Sequence, residues 1–344
     1  MNKIVIKLGF AFLMLVLCLV LSNFIYEKYF YRQDLKESDA EMLLKLDSLQ
    51  YSSDVLYFAE SSNATLADDD TCLLTIAQMI DSLYLEKVIA IDHGAIHAKT
   101  YKSLIENIKE DAKVKTLIVT LNMRSFGATW IHSKMETALM KANVMYEQIP
   151  PIAKRVKLAF NGFDNQNDQM RGHVMEDHWR HDYIHLPDTF PYKNVRAWDN
   201  AVGGANVLNF TTANGDWDMP RIELATSYIK TYAFSIDTNN NPRIKDFDEI
   251  VEIAKRKKLK LIYNLLAENM EYADSLVGKP LTNVMKENAL ILIKRYTDKG
   301  VLVVNNLSAV AGKEFTEKRW TSEHYTQRGR WTIARNVANA MSVK

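Results

Sequence analysis

Three residues stand just past apolar runs and a fourth lies near the C-terminus, and two of the four are of the types that carry nucleophilic catalysis. Ser61 follows the run Asp54–Phe58 (DVLYF) in the stretch Ala59-Glu60-Ser61-Ser62. Gly94 closes Asp92-His93-Gly94 after Lys87–Ile91 (KVIAI), and Asn122 follows Lys115–Leu121 (KTLIVTL). Near the C-terminus His324 opens HYTQRGRWTIA, with Gly329 five residues on and Ala334 beyond. A serine hydroxyl is a poor nucleophile until a neighbouring base takes its proton, so the types matter only if the fold brings them together. Each also has a plainer reading. Ser61 or Ser62 can cap a helix, Asn122 can close a turn, and Gly94 can be a loop glycine.

The elements that must position these residues alternate. The run ending at Phe58 is of strand type, and Cys72–Leu83 has apolar residues at helical spacing. A second strand pattern, Lys87–Ile91, precedes a helix from Ala98 to Glu110, and a third covers Lys115–Leu121. From Gln148 to about Asn241 the rhythm is lost in Pro-Pro, Gly-Gly and Asn-rich turns, which reads as a long insertion or cap over the sheet. It resumes with a helix Ile244–Lys257, a strand Lys260–Leu265, a helix Thr282–Tyr296, a strand Val301–Val304 and a last helix from Gln327. Such alternation predicts parallel strands with crossover helices. In an open parallel sheet, ligands bind at the carboxyl ends of the strands, where Ser61, Gly94 and Asn122 fall.

Taken in order, the blocks at Ser61, Gly94, Asn122 and His324 resemble the SGNH (GDSL-like) hydrolase family. Its first block, Gly-Asp-Ser, is matched in position and character by Ala59-Glu60-Ser61, and the resemblance spans roughly Asp54 to Ala340 with the insertion unaccounted for. It implies a flavodoxin-like three-layer α/β/α sandwich. It also implies Ser61 as nucleophile, His324 as base, and an oxyanion hole formed by the Ser61 and Gly94 N–H groups with the Asn122 amide. A glycine suits the second position because its backbone can approach a substrate closely. The family's aspartate three residues before the histidine is here Thr321. Glu323, beside the histidine, is therefore carried as the third catalytic residue, with Glu317 or a backbone carbonyl as alternatives. The expected activity is that of a serine esterase or O-acyltransferase on acyl esters, acetyl or similar, of cell-envelope glycans. Its substrate would be an acyl ester or a glycan, with an acyl-transfer protein of the envelope as a further partner. The alternative is an inactive scaffold that binds a glycan or an assembly partner.

Two other groups compete for attention. His173, Glu176, Asp177, His178, His181, Asp182 and His185 crowd GHVMEDHWRHDYIH, and on a helix His178, His181 and His185 would share a face that zinc accepts. There is no HExxH or paired-cysteine motif, so a solvated polar segment is the preferred reading, and neither metal nor cofactor is expected. Arg124 and Trp130, just after Asn122, could hold a sugar or an anionic group. A pairing of Arg124 with a carboxylate and packing of Trp130 is favoured.

Composition bounds the rest. The 344 residues are 47% hydrophobic and 25% charged with a formal net charge of +1, which gives no electrostatic case for nucleic acid. Leu8–Ile25 is almost wholly apolar, long enough to span a bilayer, and flanked by Lys3, Lys7, Tyr26, Tyr29 and Phe30. No small-x-small cleavage site follows it, and Leu15-Val16-Leu17-Cys18 lacks the small residues expected before a lipidated cysteine. An uncleaved anchor is expected over residues 1–32, then a charged helical stalk over 33–51, then the catalytic domain over 52–344. With Cys18 in lipid, an internal disulfide to Cys72 is implausible. Lys3 and Lys7 against Lys28 and Arg32 do not orient the anchor. An extracytoplasmic domain is expected by analogy with signal anchors.

Overall fold

The computed structural model describes residues 2–38, 40–131, 140–161, 192, 194–202, 204–317 and 320–342. Five parallel strands form one sheet: β1 (Val55–Ala59), β2 (Val88–Asp92), β3 (Thr116–Leu121), β4 (Lys260–Leu265) and β5 (Leu302–Asn305). Their order is β2-β1-β3-β4-β5. This is the flavodoxin-like order, and its topological switch point lies between β1 and β3. Every residue of β1 and of β3 is buried. Strands covered on both faces read as continuous apolar runs, which is why VLYFA and TLIVTL stand out in the sequence.

Fourteen helices accompany the strands among the described residues. Before the sheet come α1 (Asn2–Tyr29), α2 (Tyr31–Glu37) and α3 (Glu41–Leu49). Between β1 and β3 lie α4 (Ile76–Leu83) and α5 (Ala98–Glu106). The long β3–β4 connection holds α6 (Ala128–Ile131), α7 (Met140–Tyr146), α8 (Pro151–Phe160), α9 (Val195–Ala201), α10 (Met219–Tyr232) and α11 (Pro242–Arg256). The last three are α12 (Met270–Leu276), α13 (Lys279–Asp298) and α14 (Gln327–Ser342). One core cluster joins a face of the sheet to α5, α11 and α13 through Tyr101, Leu104, Phe247, Ile250, Leu292 and Tyr296. The other joins the opposite face to α4 and α14 through Ile76, Ile80, Ile333, Ala334 and Val337. The fold is thus a three-layer α/β/α sandwich.

The segment read as a stalk packs on the domain. Leu35, Ala40, Met42, Leu43 and Leu46 are buried in the larger core cluster, so α2 and α3 are part of its packing. α3 leads into β1 at the amino edge of the sheet, where Lys113 N–H donates to the Gln50 carbonyl. α2 begins at the same edge, with Tyr31 bonded to Lys154 of α8. The described parts of 148–241 divide between the two ends of the domain. α8 sits at the amino edge beside α1, whereas α10 reaches the carboxyl edge, where Thr231 meets Thr321. α1 is long and apolar enough to cross a membrane, and residues 3–22 of it are exposed.

Candidate active site

Ser61 begins a one-turn 3-10 helix, Ser61–Asn63, directly after β1. Asn63 fixes that turn: its Nδ2 donates to Asp92 Oδ2 at 2.9 Å, and its Oδ1 accepts the Ala77 N–H at 2.9 Å. The Ser61 hydroxyl is thereby held at the sheet's carboxyl edge, while the neighbouring Ser62 is fully buried. His324 arrives from the opposite end of the chain on a loop closed by an antiparallel bridge between Phe315 and Tyr325. Its Nε2 lies 3.0 Å from Ser61 Oγ, and its Nδ1 lies 2.7 Å from Glu317 Oε1. Three residues separated by 263 and 7 positions thus form a continuous Ser-His-Glu hydrogen-bonded line.

Glu317, not Glu323, stands on the imidazole. Thr316 N–H bonds to the His324 carbonyl, so the two arms of the closed loop face each other and bring Glu317 across from the ring. Glu323, though adjacent in sequence, does not face the ring. Its carboxylate turns inward, fully buried, and pairs with Arg124 at 2.6 Å. Glu317 Oε2 also accepts the hydroxyls of Ser322 and Thr316, each at 2.5 Å. Burial alone would raise the Glu317 pKa, but the bonds from His324, Ser322 and Thr316 outweigh it and bring it down to about 2. An ionised carboxylate on Nδ1 fixes the tautomer that leaves Nε2 facing the serine.

Asn122 caps the 3-10 turn that follows β3, its Oδ1 accepting the Arg124 N–H at 3.0 Å. Its Nδ2 donates to Glu60 Oε1 at 2.8 Å, which commits one of the two amide hydrogens. Gly94 lies just past β2, exposed, and a Cβ built on it meets nothing within 4 Å. Packing therefore does not require a glycine there. Gly329 is the contrary case. A Cβ at that position would lie 2.9 Å from the Tyr325 Cβ and 3.1 Å from the Glu314 carbonyl oxygen, so only glycine lets α14 start against the histidine loop. Thr321, where the family has its aspartate, bonds instead to Ser227 and Thr231 of α10 and offers its carbonyl to Arg124.

Beneath the surface line is a buried cluster that the sequence does not announce. Glu60, Glu268 and Glu323 are all buried around the one guanidinium of Arg124. Tyr232 donates to Glu268 Oε2. Burial, then the charge of Glu323, raises the Glu60 pKa to about 7, and the same two causes hold Glu268 well above the usual carboxylate range. Arg124 also lies over the Trp130 ring, 4.6 Å from its centroid. The guanidinium thus sits between the Glu323 carboxylate and the Trp130 ring.

The histidine-rich stretch from His173 to His185 lies outside the described residues. Among those described, no group of three or more His, Cys, Asp or Glu is arranged to hold a metal ion. No protein-family model matches the chain, and no curated protein does. Among solved structures the chain is similar to a GDSL-like lipase from Bacteroides thetaiotaomicron VPI-5482. The two are 9% identical, the match covers 91% of this chain and 97% of that chain, and the TM-score is 0.35.

Proposed function

We propose that the chain is a serine esterase or O-acyltransferase working through an acyl-enzyme on Ser61. The observation that carries the reading is the 3.0 Å contact of Ser61 Oγ with His324 Nε2, backed by the 2.7 Å contact of Nδ1 with Glu317. In the first half-reaction Ser61 Oγ bonds to the acyl carbonyl carbon as its proton passes to Nε2. The carbonyl then re-forms and the ester C–O bond breaks, Nε2 returning the proton to the departing alcohol oxygen. In the second half, water or an acceptor hydroxyl repeats the steps on the acyl-serine, giving acid or a new ester. Asn122 Nδ2 and backbone N–H groups of Ser61 and Gly94 are the proposed oxyanion donors.

We further infer that α1 anchors the chain in the cytoplasmic membrane, that the domain lies outside it, and that the acyl acceptor or donor is a glycan of the cell envelope. The site sits at the carboxyl edge of the sheet, whereas α1 meets the domain at the amino edge. The six residues of β3 alone span about 20 Å of that separation. That separation favours a substrate standing off the bilayer over a lipid within it.

Labelling with a serine-directed fluorophosphonate tests the chemistry. The wild-type chain is expected to label on Ser61, and the Ser61→Ala and His324→Ala chains are expected not to. A wild-type chain that never labels and hydrolyses no acyl ester would leave an inactive scaffold instead.

A further inference from the structure

α8 (Pro151–Phe160, PIAKRVKLAF) presents two faces of opposite use. Lys154 and Leu158 are buried, and Lys154 Nζ bonds to the Tyr31 hydroxyl at 2.8 Å and the Met145 carbonyl at 2.7 Å. That face fastens α8 to α2 and α7. The opposite face is apolar and turned outward. Ile152, Val156, Ala159 and Phe160 follow at helical spacing, with Val156 48% and Phe160 88% exposed. Arg155 and Lys157 flank this stripe, one on each side, paired respectively with Asp34 at 3.6 Å and Glu147 at 2.5 Å. An apolar stripe bordered by long basic side chains is the pattern of a helix lying in a bilayer interface, where stems lie on lipid and charges reach water.

The place of α8 relative to α1 says which surface covers the stripe. Asn23 is a polar side chain within the apolar run Leu8–Ile25, where an unsatisfied amide would be costly. Its Oδ1 accepts the N–H of Ile152, one of the donors that the first turn of α8 leaves without an intrahelical partner. This bond pins the start of α8 to the last turns of the apolar helix, at the level where a spanning segment leaves the hydrocarbon. We propose that α8 lies in the interface of the bilayer that α1 spans, with Val156, Ala159 and Phe160 against the acyl chains. The domain is then held by two contacts, one across the membrane and one on it, and its amino edge faces the lipid. The inference rests on reading α1 as a membrane span.

Site-directed spin labelling of the full-length chain in phosphatidylcholine–phosphatidylglycerol vesicles tests it. Single cysteines replace Val156, Phe160, Leu15 or Lys245 on a C18S/C72S background, with Leu15 reporting α1 and Lys245 reporting exposed domain surface. At Val156→Cys and Phe160→Cys, collisions with dissolved oxygen are expected to exceed those with a water-soluble nickel chelate several-fold, as at Leu15→Cys. The ratio is expected to invert at Lys245→Cys. If Leu15→Cys reads lipid while both α8 positions read like Lys245→Cys, the α8 proposal falls and the anchor stands. If Leu15→Cys itself reads water, both fall together.

Discussion

At the scale of single residues, the site separates groups that touch the reacting atoms from groups that hold them. Ser61→Ala and His324→Ala are each expected to lower turnover by about four orders of magnitude or more. The double change should cost little beyond either, because nucleophile and base act as one unit. Glu317→Gln is expected to cost about three to four orders by freeing the imidazole to take the wrong tautomer. With a pKa of about 2, Glu317 is ionised throughout any ordinary assay range, so its own protonation should cause no step in the wild-type rate between about pH 5 and 9. Glu323→Gln should show a different signature, losing stability through its buried pair with Arg124, with no change in tautomer. Steady-state rates and thermal melts on the two variants separate these outcomes. Glu60 gives the pH dependence of stability. Its folded pKa, about 7, lies above the ordinary value of 4.5, so the folded chain keeps a proton that the unfolded chain releases. No cost arises below about 4.5; stability then falls as pH climbs toward 7 and is level above it. Glu60→Gln keeps an acceptor for Asn122 and removes the proton, so its melting temperature should fall less between pH 4.5 and 7, the gap reaching a few degrees.

At the scale of elements, what was legible in the sequence was what periodicity and burial write locally. The five strands and the helices α4, α5, α11, α13 and α14 stand within a few residues of their expected places, since β1, β3 and β4 are nearly continuous apolar runs. The residues at the ends of β1, β2 and β3 could be found for the same reason. What was not legible depends on chain geometry that spacing does not encode. Glu317 reaches His324 only because the Phe315–Tyr325 bridge folds the loop back on itself, while sequence adjacency pointed to Glu323. The cluster of Glu60, Glu268 and Glu323 joins residues after β1, after β4 and before His324, and no local pattern joins them. The packing role of α2 and α3 was hidden by their charged exposed faces. The start of α14 gives a prediction at this scale. Gly329→Ala must push α14 off Tyr325 and Glu314, which overpacks a closed contact at a cost of about 1–3 kcal/mol. For a domain of this size that lowers the melting temperature by roughly 2–10 °C. Turnover should fall further than the folded fraction does, because the displaced loop carries both His324 and Glu317. Measuring rate per folded molecule separates the two losses, and a variant that melts lower but turns over normally would detach Gly329 from the site.

At the scale of the whole molecule, the question is where anchor ends and domain begins. Residues 3–22 of α1 are exposed, whereas Tyr26 is buried and donates to Asp34 at 2.5 Å, and Leu35, Met42 and Leu46 are core residues. The boundary therefore falls within the last turns of α1, well before the charged segment ends. Full-length chain should stay with membranes through carbonate washing, because a helix with so long an apolar run is not released by salt or alkali. A chain beginning at Asn23 keeps the buried Tyr26 with α2 and α3, and should be cooperative in its melt and as reactive toward fluorophosphonate as the full chain. A chain beginning at Tyr51 uncovers the surface that Leu35, Met42, Leu43 and Leu46 cover. Removing one such buried side chain costs about 2–5 kcal/mol, so losing four should leave that shorter chain aggregated or melting far lower. Equal melting temperatures for the two chains would return α2 and α3 to the role of a stalk. Release of the full-length chain by carbonate would remove the membrane from the account altogether.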